Sequence, residues 1–102
     1  MYRIVWRYKI REGCEEQFAK GYGPEGEWVR LFRKGEGFLG TELWRDHTKP
    51  QMFITIDRWV SAAHYNEFAD ANAEEYQRID AKFVPMCVSE KRVGDYDKVE
   101  PA

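Results

Sequence analysis

The side chains that could take part in chemistry lie close together in this sequence, where a predicted strand gives way to a predicted helix. The strand ends at Trp59, whose wide indole ring carries one N–H donor. Ser61 suits the position that caps the helix, and His64 in the first turn could act as a base near neutral pH. Together with Tyr65, these residues predict a pocket with aromatic walls where the sheet meets the helix.

Exposure to solvent is the competing interpretation for both histidines. His64 flanks Tyr65 and does not share the three- and four-residue spacing of the apolar side chains, which favours exposure at the helix start. His47 lies in a polar connection between two predicted strands, so we expect it to be solvated. His64 is therefore the candidate base of the two.

The first part of the chain predicts a strand followed by two short helical pieces. Apolar and polar residues alternate strictly over residues 2–10, which is typical of a strand. Cys14, Phe18 and Tyr22 recur every four residues and predict one side of a helix. Pro24 suits the first turn of a second helix, because it lacks only an N–H that would be unpaired there. The apolar stripe of that second helix is expected to comprise Trp28, Leu31 and Phe32.

The rest of the chain predicts a hairpin, a long helix and a last strand. Residues 38–46 and 52–59 have strand patterns, and the polar connection between them is short enough only for a hairpin turn. The helix after Ser61 carries apolar side chains at three- and four-residue multiples, with a break expected near Asn72. A last strand is expected over residues 86–93.

This order of elements predicts an α+β, ferredoxin-like β-α-β-β-α-β fold, in which helices cover one face of a four-stranded antiparallel sheet. The chain of 102 residues is too short for two domains. We expect residues 1–95 to form the single domain and residues 96–102 to be a flexible C-terminal tail.

Every predicted strand carries large side chains in both directions, for example Leu43 and Trp44 on the second strand or Phe53 and Ile54 on the third, so the second face of the sheet also needs a cover. A monomer would expose a larger apolar patch than soluble monomers usually show. We therefore expect a homodimer in which two sheets pack face to face. The charged side chains that could pair at this junction, or lie on a charged surface at the strand ends, are Arg3, Arg7, Glu42, Asp57 and Glu90.

Composition and charge argue against several classes of partner. The 16 basic and 18 acidic side chains are interspersed, leaving no basic stripe for nucleic acid. Arginines interrupt the N-terminal apolar run and no stretch approaches the ~20 apolar residues of a membrane span, so a cytoplasmic protein is expected. Cys14 and Cys87 are far apart and favour free thiols over a disulfide or a metal site.

Several segments resemble the antibiotic biosynthesis monooxygenase domain of the dimeric α+β barrel superfamily, and the resemblance covers roughly residues 2–93. The segments are residues 8–13, 15–18, 37–43, 57–59 and 65–68. The most specific parts are Gly-Phe-Leu-Gly-Thr at 37–41 and the tryptophan that ends the strand. Gly37 and Gly40 there permit backbone geometry that a Cβ would oppose.

The resemblance implies a monooxygenase without metal, flavin or other cofactor, in which the ionised substrate supplies an electron to O₂. The substrate would be a small aromatic, polyketide-type or quinol-like molecule, bound between sheet and helices. Trp59 and Tyr65 match a pocket tryptophan and tyrosine of the family, able to donate hydrogen bonds to a developing oxyanion. With His64 they are the expected catalytic residues. The expected substrate-binding residues are Phe18, Tyr22, Trp28, Phe32 and Phe68.

Other interpretations of the same residues stay open. All of these aromatic side chains also suit an ordinary core, so the chain could be a non-catalytic homodimer that binds a small hydrophobic ligand, or a stress-related protein. Haem degradation would ask for an asparagine on the first strand, where Trp6 and Arg7 stand. It would also ask for a histidine ligand on the second helical region, and residues 74–76 contain none. Haem chemistry is therefore not expected.

Overall fold

The computed structural model describes residues 1–101 of the chain. Within these residues the elements are β1 (Tyr2–Ile10), α1 (Glu15–Tyr22), α2 (Glu27–Phe32), β2 (Phe38–Arg45), β3 (Met52–Trp59), α3 (Ala62–Ala71), α4 (Ala73–Phe83), a 3-10 turn (Val84–Met86) and β4 (Cys87–Asp97). The strands form one antiparallel sheet in the order β2-β3-β1-β4. The predicted α+β ferredoxin-like fold, β-α-β-β-α-β, is confirmed, with each helical region divided into two helices.

One face of the sheet is buried under the helices. Along β1 the side chains alternate as predicted, so that Ile4 and Tyr8 are buried whereas Arg3 is exposed. Asp57 of β3 lies opposite Ile4, and Glu90 of β4 lies opposite Tyr8, which places both on the covered face. The expectation that Asp57 and Glu90 pair at the outer face is therefore wrong, because pairing register assigns them to the helix side.

The connection between α1 and α2 differs from the prediction. Residues 23–26 form a turn in which the Gly26 N–H donates to the Gly23 carbonyl at 2.9 Å. Pro24 occupies the second position of this turn, where its fixed φ is equally suitable, and α2 begins only at Glu27. The later start still leaves Trp28 and Phe32 buried on the inner side of α2.

The helical region after β3 begins and divides where the sequence predicts. Ser61 caps α3, since its hydroxyl accepts the backbone N–H of His64 at 3.2 Å. Asn72 separates α3 from α4, and its side-chain amide donates to the Phe68 carbonyl at 2.9 Å. This local bond satisfies a carbonyl at the end of α3 and lets the chain restart as α4 in a new direction.

Two glycines shape the start of β2. Gly37 and Gly40 have φ values of +89° and +140°, in the region that side chains with a Cβ rarely adopt. Gly40 follows an irregularity in the pairing of β2 with β3, as expected of a β-bulge. The prediction of special backbone geometry at these two residues is confirmed.

The last strand is longer than predicted. β4 runs from Cys87 to Asp97, and Tyr96 and Asp97 lie opposite Arg3 and Tyr2 of β1. Residues 96 and 97 of the predicted tail are thus paired, because backbone hydrogen bonds to β1 do not require apolar side chains. Ala102, the last residue of that predicted tail, lies outside the described residues.

The outer face of the sheet carries an apolar patch. Trp44 of β2 lies opposite Ile54 of β3, and Ile56 of β3 lies opposite Val5 of β1. Trp44 is 58% exposed and Ile54 39% exposed. Among residues 1–101, no helix is both long and apolar enough to traverse a lipid bilayer.

Candidate functional site

A cavity of about 150 Å³ lies between the covered face of the sheet and the helices. Its aromatic lining comes from strand and helix alike and comprises Trp6, Tyr8, Tyr22, Trp28, Phe32 and Tyr76. Its polar lining comprises Thr41, Thr55, Asp57, Asp80 and Glu90. Flat apolar walls with a few convergent polar groups are the usual features of a small-molecule site.

Asp57 is the buried ionisable group of the cavity. Its side chain is 8% exposed, and its Oδ1 accepts a hydrogen bond from the Thr41 hydroxyl at 2.8 Å. Burial raises the pKa of Asp57 to about 6, and the bond from Thr41 opposes only part of that shift. Strand pairing explains the placement, because Thr41 of β2 lies directly opposite Asp57 of β3. A carboxyl with a pKa near neutrality can take up and release protons at physiological pH.

Three phenol groups share the cavity lining with this carboxyl. Burial raises the pKa of Tyr8, Tyr22 and Tyr76 well above the ordinary value, so that all three remain protonated donors. The Tyr76 hydroxyl lies 3.3 Å from the Tyr65 hydroxyl, which itself stands outside the lining. Tyr76 lines the cavity, and the contact with the Tyr65 hydroxyl fixes the position of the Tyr76 hydroxyl.

Trp28 supplies a second donor at the cavity wall. Its side chain is 6% exposed and its ring meets that of Tyr76 edge-on, with centroids 4.9 Å apart. The Tyr22 hydroxyl is close enough to the Trp28 N–H for that group to oppose the rise in the pKa of Tyr22, but Nε1 forms no hydrogen bond of good geometry among residues 1–101. A buried N–H without an acceptor costs free energy, and a ligand oxygen at this position would remove that cost.

The exposed side of the cavity is acidic. Asp80 of α4 is half-buried, and Glu90 of β4 is exposed. Burial and the nearby Asp80 carboxylate raise the pKa of Glu90. Lysine, arginine and histidine are absent from the cavity lining within residues 1–101, so the charged groups of the lining are all acidic.

The predicted site residues divide between the cavity and the solid core. Tyr22, Trp28 and Phe32, three of the five predicted substrate-binding residues, line the cavity. Phe18 instead packs in the core against Tyr22, with ring centroids 4.1 Å apart. Phe68 packs against Phe32 at 5.5 Å and is also outside the lining.

The three predicted catalytic residues lie together, but outside the cavity lining. Trp59 is fully buried, and its ring centroid lies 5.5 Å from that of Tyr65. Its Nε1 has no acceptor among residues 1–101. His64 is half-buried, and its Nδ1 lies 2.6 Å from the Ser61 hydroxyl, so the ring supports the helix cap. Two contacts link this group to the cavity, namely the Tyr65–Tyr76 hydroxyl pair and the packing of Phe32 on Trp59.

Comparison with known proteins assigns the chain to a family. The sequence model described as antibiotic biosynthesis monooxygenase matches residues 1–81. The chain belongs to the antibiotic biosynthesis monooxygenase family. Its fold is accordingly that of the dimeric α+β barrel proteins. No curated protein sequence matches the chain.

Solved structures share the fold at low sequence identity. A Deinococcus radiodurans protein provisionally assigned as an antibiotic biosynthesis monooxygenase has a TM-score of 0.79 and 11% identity, covering 100% of this chain and 96% of that one. SnoaB from Streptomyces nogalater, a cofactor-independent oxygenase, has a TM-score of 0.76 and 14% identity, with 98% and 94% covered. A Bordetella bronchiseptica protein of the same provisional assignment has a TM-score of 0.74 and 16% identity, with 97% of each chain covered.

The sequence predicted the wrong face of the sheet for Asp57, which is the candidate functional residue in the cavity. Its position in the alternation of β3, in register with the buried Phe53, Thr55 and Trp59, was the available signal. A carboxyl at a buried strand position is rare unless it is paired or functional, so this alternation alone marks Asp57. Among residues 1–101, no group of three or more His, Cys, Asp or Glu side chains is arranged to hold a metal ion.

Proposed function

We propose that this protein is a cofactor-independent monooxygenase that converts a small hydroxylated aromatic compound to a quinone in the cavity around Asp57. The observation that carries the proposal is one buried carboxyl, with a pKa of about 6, inside a cavity walled by aromatic rings. Membership of the antibiotic biosynthesis monooxygenase family and the fold shared with the oxygenase SnoaB support it.

Cavity size favours a substrate of one or two rings. Pockets for drug-sized ligands usually measure about 300–1,000 Å³, and an engineered apolar cavity of about 150 Å³ holds a single benzene. The cavity here is also about 150 Å³ and is partly open to solvent. A phenol or naphthol of the quinol-like kind suits a cavity of this size.

Asp57 is the proposed general base. At neutral pH a carboxyl with a pKa of about 6 is largely ionised, and it is a stronger base than an ordinary carboxylate. It would take the proton of the ring hydroxyl, and the resulting phenolate would transfer one electron to O₂. Recombination of superoxide with the phenoxyl radical at the para carbon forms a C–O bond, and Asp57 returns its proton to the peroxide. The para C–H proton is then lost as the O–O bond breaks, which gives the quinone and water. One oxygen atom enters the product, and the other leaves as water.

Two donors would hold the substrate oxygen as its charge develops. The Trp28 Nε1–H forms no hydrogen bond of good geometry among residues 1–101, and Tyr76 lines the same cavity. We propose that Tyr65 and Trp59 act one layer away, Tyr65 by fixing the Tyr76 hydroxyl and Trp59 by packing against Tyr65. His64 is proposed to stabilise the start of α3 through Ser61.

Oxygenation of 1,8-dihydroxynaphthalene under ¹⁸O₂ tests this function. We expect one ¹⁸O atom in the quinone and the other in water, with about 10²- to 10⁴-fold slower turnover in Asp57→Asn because the base is lost. Asp97→Asn, an exposed aspartate of β4 outside the cavity, is the matched control and should keep the wild-type rate. Equal rates for Asp57→Asn and wild type would falsify the proposed role of Asp57.

A non-catalytic module that binds a small hydrophobic ligand is the second candidate. The favouring observation is that Trp59 and Tyr65, the family-like aromatic pair, are buried or half-buried in packed surroundings and do not reach the cavity. This alternative predicts binding of 1,8-dihydroxynaphthalene without incorporation of ¹⁸O. The isotope experiment therefore separates the two candidates directly.

We also propose that two copies of the chain pair through the outer face of the sheet, since proteins of this family are typically dimeric. The patch formed by Trp44, Ile54, Ile56 and Val5 would be covered in such a pair. Light scattering at micromolar concentration should give twice the 12.1 kDa chain mass for the wild type. Ile54→Lys should give single chains, whereas Val84→Lys, an exposed position in the 3-10 turn, should not. A wild-type mass of one chain contradicts the pairing.

A further inference from the structure

We propose that the cavity selects a hydroxylated aromatic compound that carries a positively charged amino group, with the ring inside and the ammonium group at the rim beside Asp80 and Glu90. This inference rests on the function proposed above, because it names the substrate class of the same cavity. The deep end and the rim of the cavity provide independent reasons for it.

The deep end of the cavity calls for a ring oxygen. Trp28 is more than nine-tenths buried, and its indole N–H lies near the Tyr22 hydroxyl but forms no hydrogen bond of good geometry among residues 1–101. Asp57, buried in the same lining, engages Oδ1 with Thr41 and can accept a further hydrogen bond. A ring hydroxyl could bind both groups at once, because the hydroxyl oxygen would accept a hydrogen bond from the indole N–H and the hydroxyl proton would be donated to the carboxyl.

The rim calls for a cation. The ion pairs of residues 1–101 join Lys34 to Glu75, Arg58 to Glu42, Lys82 to Glu27 and Arg92 to Asp95. Asp80 and Glu90 belong to none of these pairs, although they lie close enough for Asp80 to raise the pKa of Glu90. Two neighbouring carboxylates without a counter-charge attract a cation and repel an anionic ligand.

The aromatic walls favour the same class of ligand. Trp6, Tyr22 and Trp28 belong to the lining, and the faces of such rings attract ammonium groups. An inorganic cation is a poorer candidate, because no group of three or more carboxylates, thiols or imidazoles in residues 1–101 is arranged as a metal site. A primary or methylated ammonium group on a short alkyl chain could contact the faces of the rings and pair with the rim carboxylates.

Calorimetric titration with three matched phenols, carried out without oxygen, tests the inference. The ligands are tyramine, which is cationic, 4-propylphenol, which is neutral and of equal size, and the anion 3-(4-hydroxyphenyl)propanoate. We expect tyramine to bind about tenfold more tightly than 4-propylphenol, and the anion to bind most weakly. Equal binding of tyramine and 4-propylphenol, or tighter binding of the anion, overturns the inference.

Variants assign the preference to the rim. The double variant Asp80→Asn, Glu90→Gln should lower the affinity for tyramine to that for 4-propylphenol. Its affinity for 4-propylphenol should equal that of the wild type. Glu74→Gln, an exposed carboxylate of α4 outside the cavity, is the control and should keep the preference. A preference that survives the double variant overturns the assignment. The wild-type protein gives an independent test. A higher ionic strength should weaken the binding of tyramine and leave the affinity for 4-propylphenol unchanged.

The two proposals fail separately. Selective tyramine binding together with no ¹⁸O incorporation supports the cationic ligand and contradicts the monooxygenase. Oxygenation of 1,8-dihydroxynaphthalene without a preference for tyramine contradicts the cationic ligand and supports the monooxygenase.

Discussion

Two aromatic regions under the same face of the sheet differ in how completely they are filled. Around Trp59, the rings of Phe32, Phe38, Tyr65 and Phe68 have centroids within 5.9 Å of the indole, which is fully buried. We call this group the Trp59 cluster. In the second region, the cavity around Asp57, a similar density of rings leaves about 150 Å³ of space.

The difference in packing between the two regions follows from two nearby positions on one strand. Asp57 and Trp59 stand two residues apart on β3 and face the same side. The indole at one position contacts rings throughout, whereas the carboxylate at the other loses solvation and cannot be covered by apolar groups without cost. Phe32 belongs to both regions, since it lines the cavity and also packs on Trp59. The Trp59 cluster thus stabilises the fold. The cavity lowers stability but provides a site that can hold a ligand and a proton.

Truncation of one tryptophan in each region is the most severe test of this comparison. Trp59→Ala should lower the free energy of unfolding by about 3–5 kcal/mol, because a fully packed ring is lost. Trp28→Ala should lower it less, since that ring borders empty space and has fewer neighbours to lose. Urea denaturation of both variants at one protein concentration measures the difference. Equal losses would mean that the two regions are packed alike.

The pH dependence of stability sharpens the comparison at Asp57. Its pKa rises from an ordinary 3.8 to about 6 on folding, so the folded state holds the proton more strongly. Titration of Asp57 should therefore cost the wild type up to about 3 kcal/mol of stability as pH rises from 3 to 7, and this loss should not be regained above that range.

Asp57→Asn separates this effect from other titrations. The variant should be more stable than the wild type at pH 8 and equally stable below pH 4, by denaturation at each pH. Asp97→Asn, an exposed residue, should show no such pH-dependent gain. A constant difference between Asp57→Asn and wild type across the range would argue that the Asp57 carboxyl is not desolvated.

Removal of single hydroxyl groups is the mildest test. Tyr76→Phe should lower kcat by on the order of 10²-fold if its hydroxyl holds the developing charge. Tyr65→Phe should lower kcat by a smaller factor and leave KM unchanged, because Tyr65 only positions Tyr76. Oxygen uptake with 1,8-dihydroxynaphthalene measures both. A larger loss for Tyr65→Phe than for Tyr76→Phe would place the reacting oxygen in the Trp59 cluster, not in the cavity.

Local patterns predicted most of the fold because local physical chemistry controls it. The alternation of β1, the cap at Ser61, the division at Asn72 and the positive φ of Gly37 each follow from side chains within a few residues. The start of α2 was misplaced because Pro24 suits a turn as well as a helix. The extent of β4 was missed because its pairing with β1 depends on backbone groups far away in sequence.

The candidate site was predicted only in part, for a related reason. Tyr22, Trp28 and Phe32 were expected at a ligand and line the cavity, but Phe18 and Phe68 have the same chemistry and are packed solid. Whether a buried ring faces a ligand or another ring depends on the shape left between distant elements, and no spacing along the chain encodes that shape.

By itself the sequence determined the order of the strands and helices, the family and the surplus of aromatic side chains. Tertiary structure decided where the space lies, and placed the Asp57 carboxyl in it, beside Tyr76 and Trp28. The physical reason is that propensity, capping and alternation act over a few residues, whereas desolvation of Asp57 depends on β1 and β2 beside it and on the helices that cover the sheet. That sum exists only once the sheet and the helices have packed together.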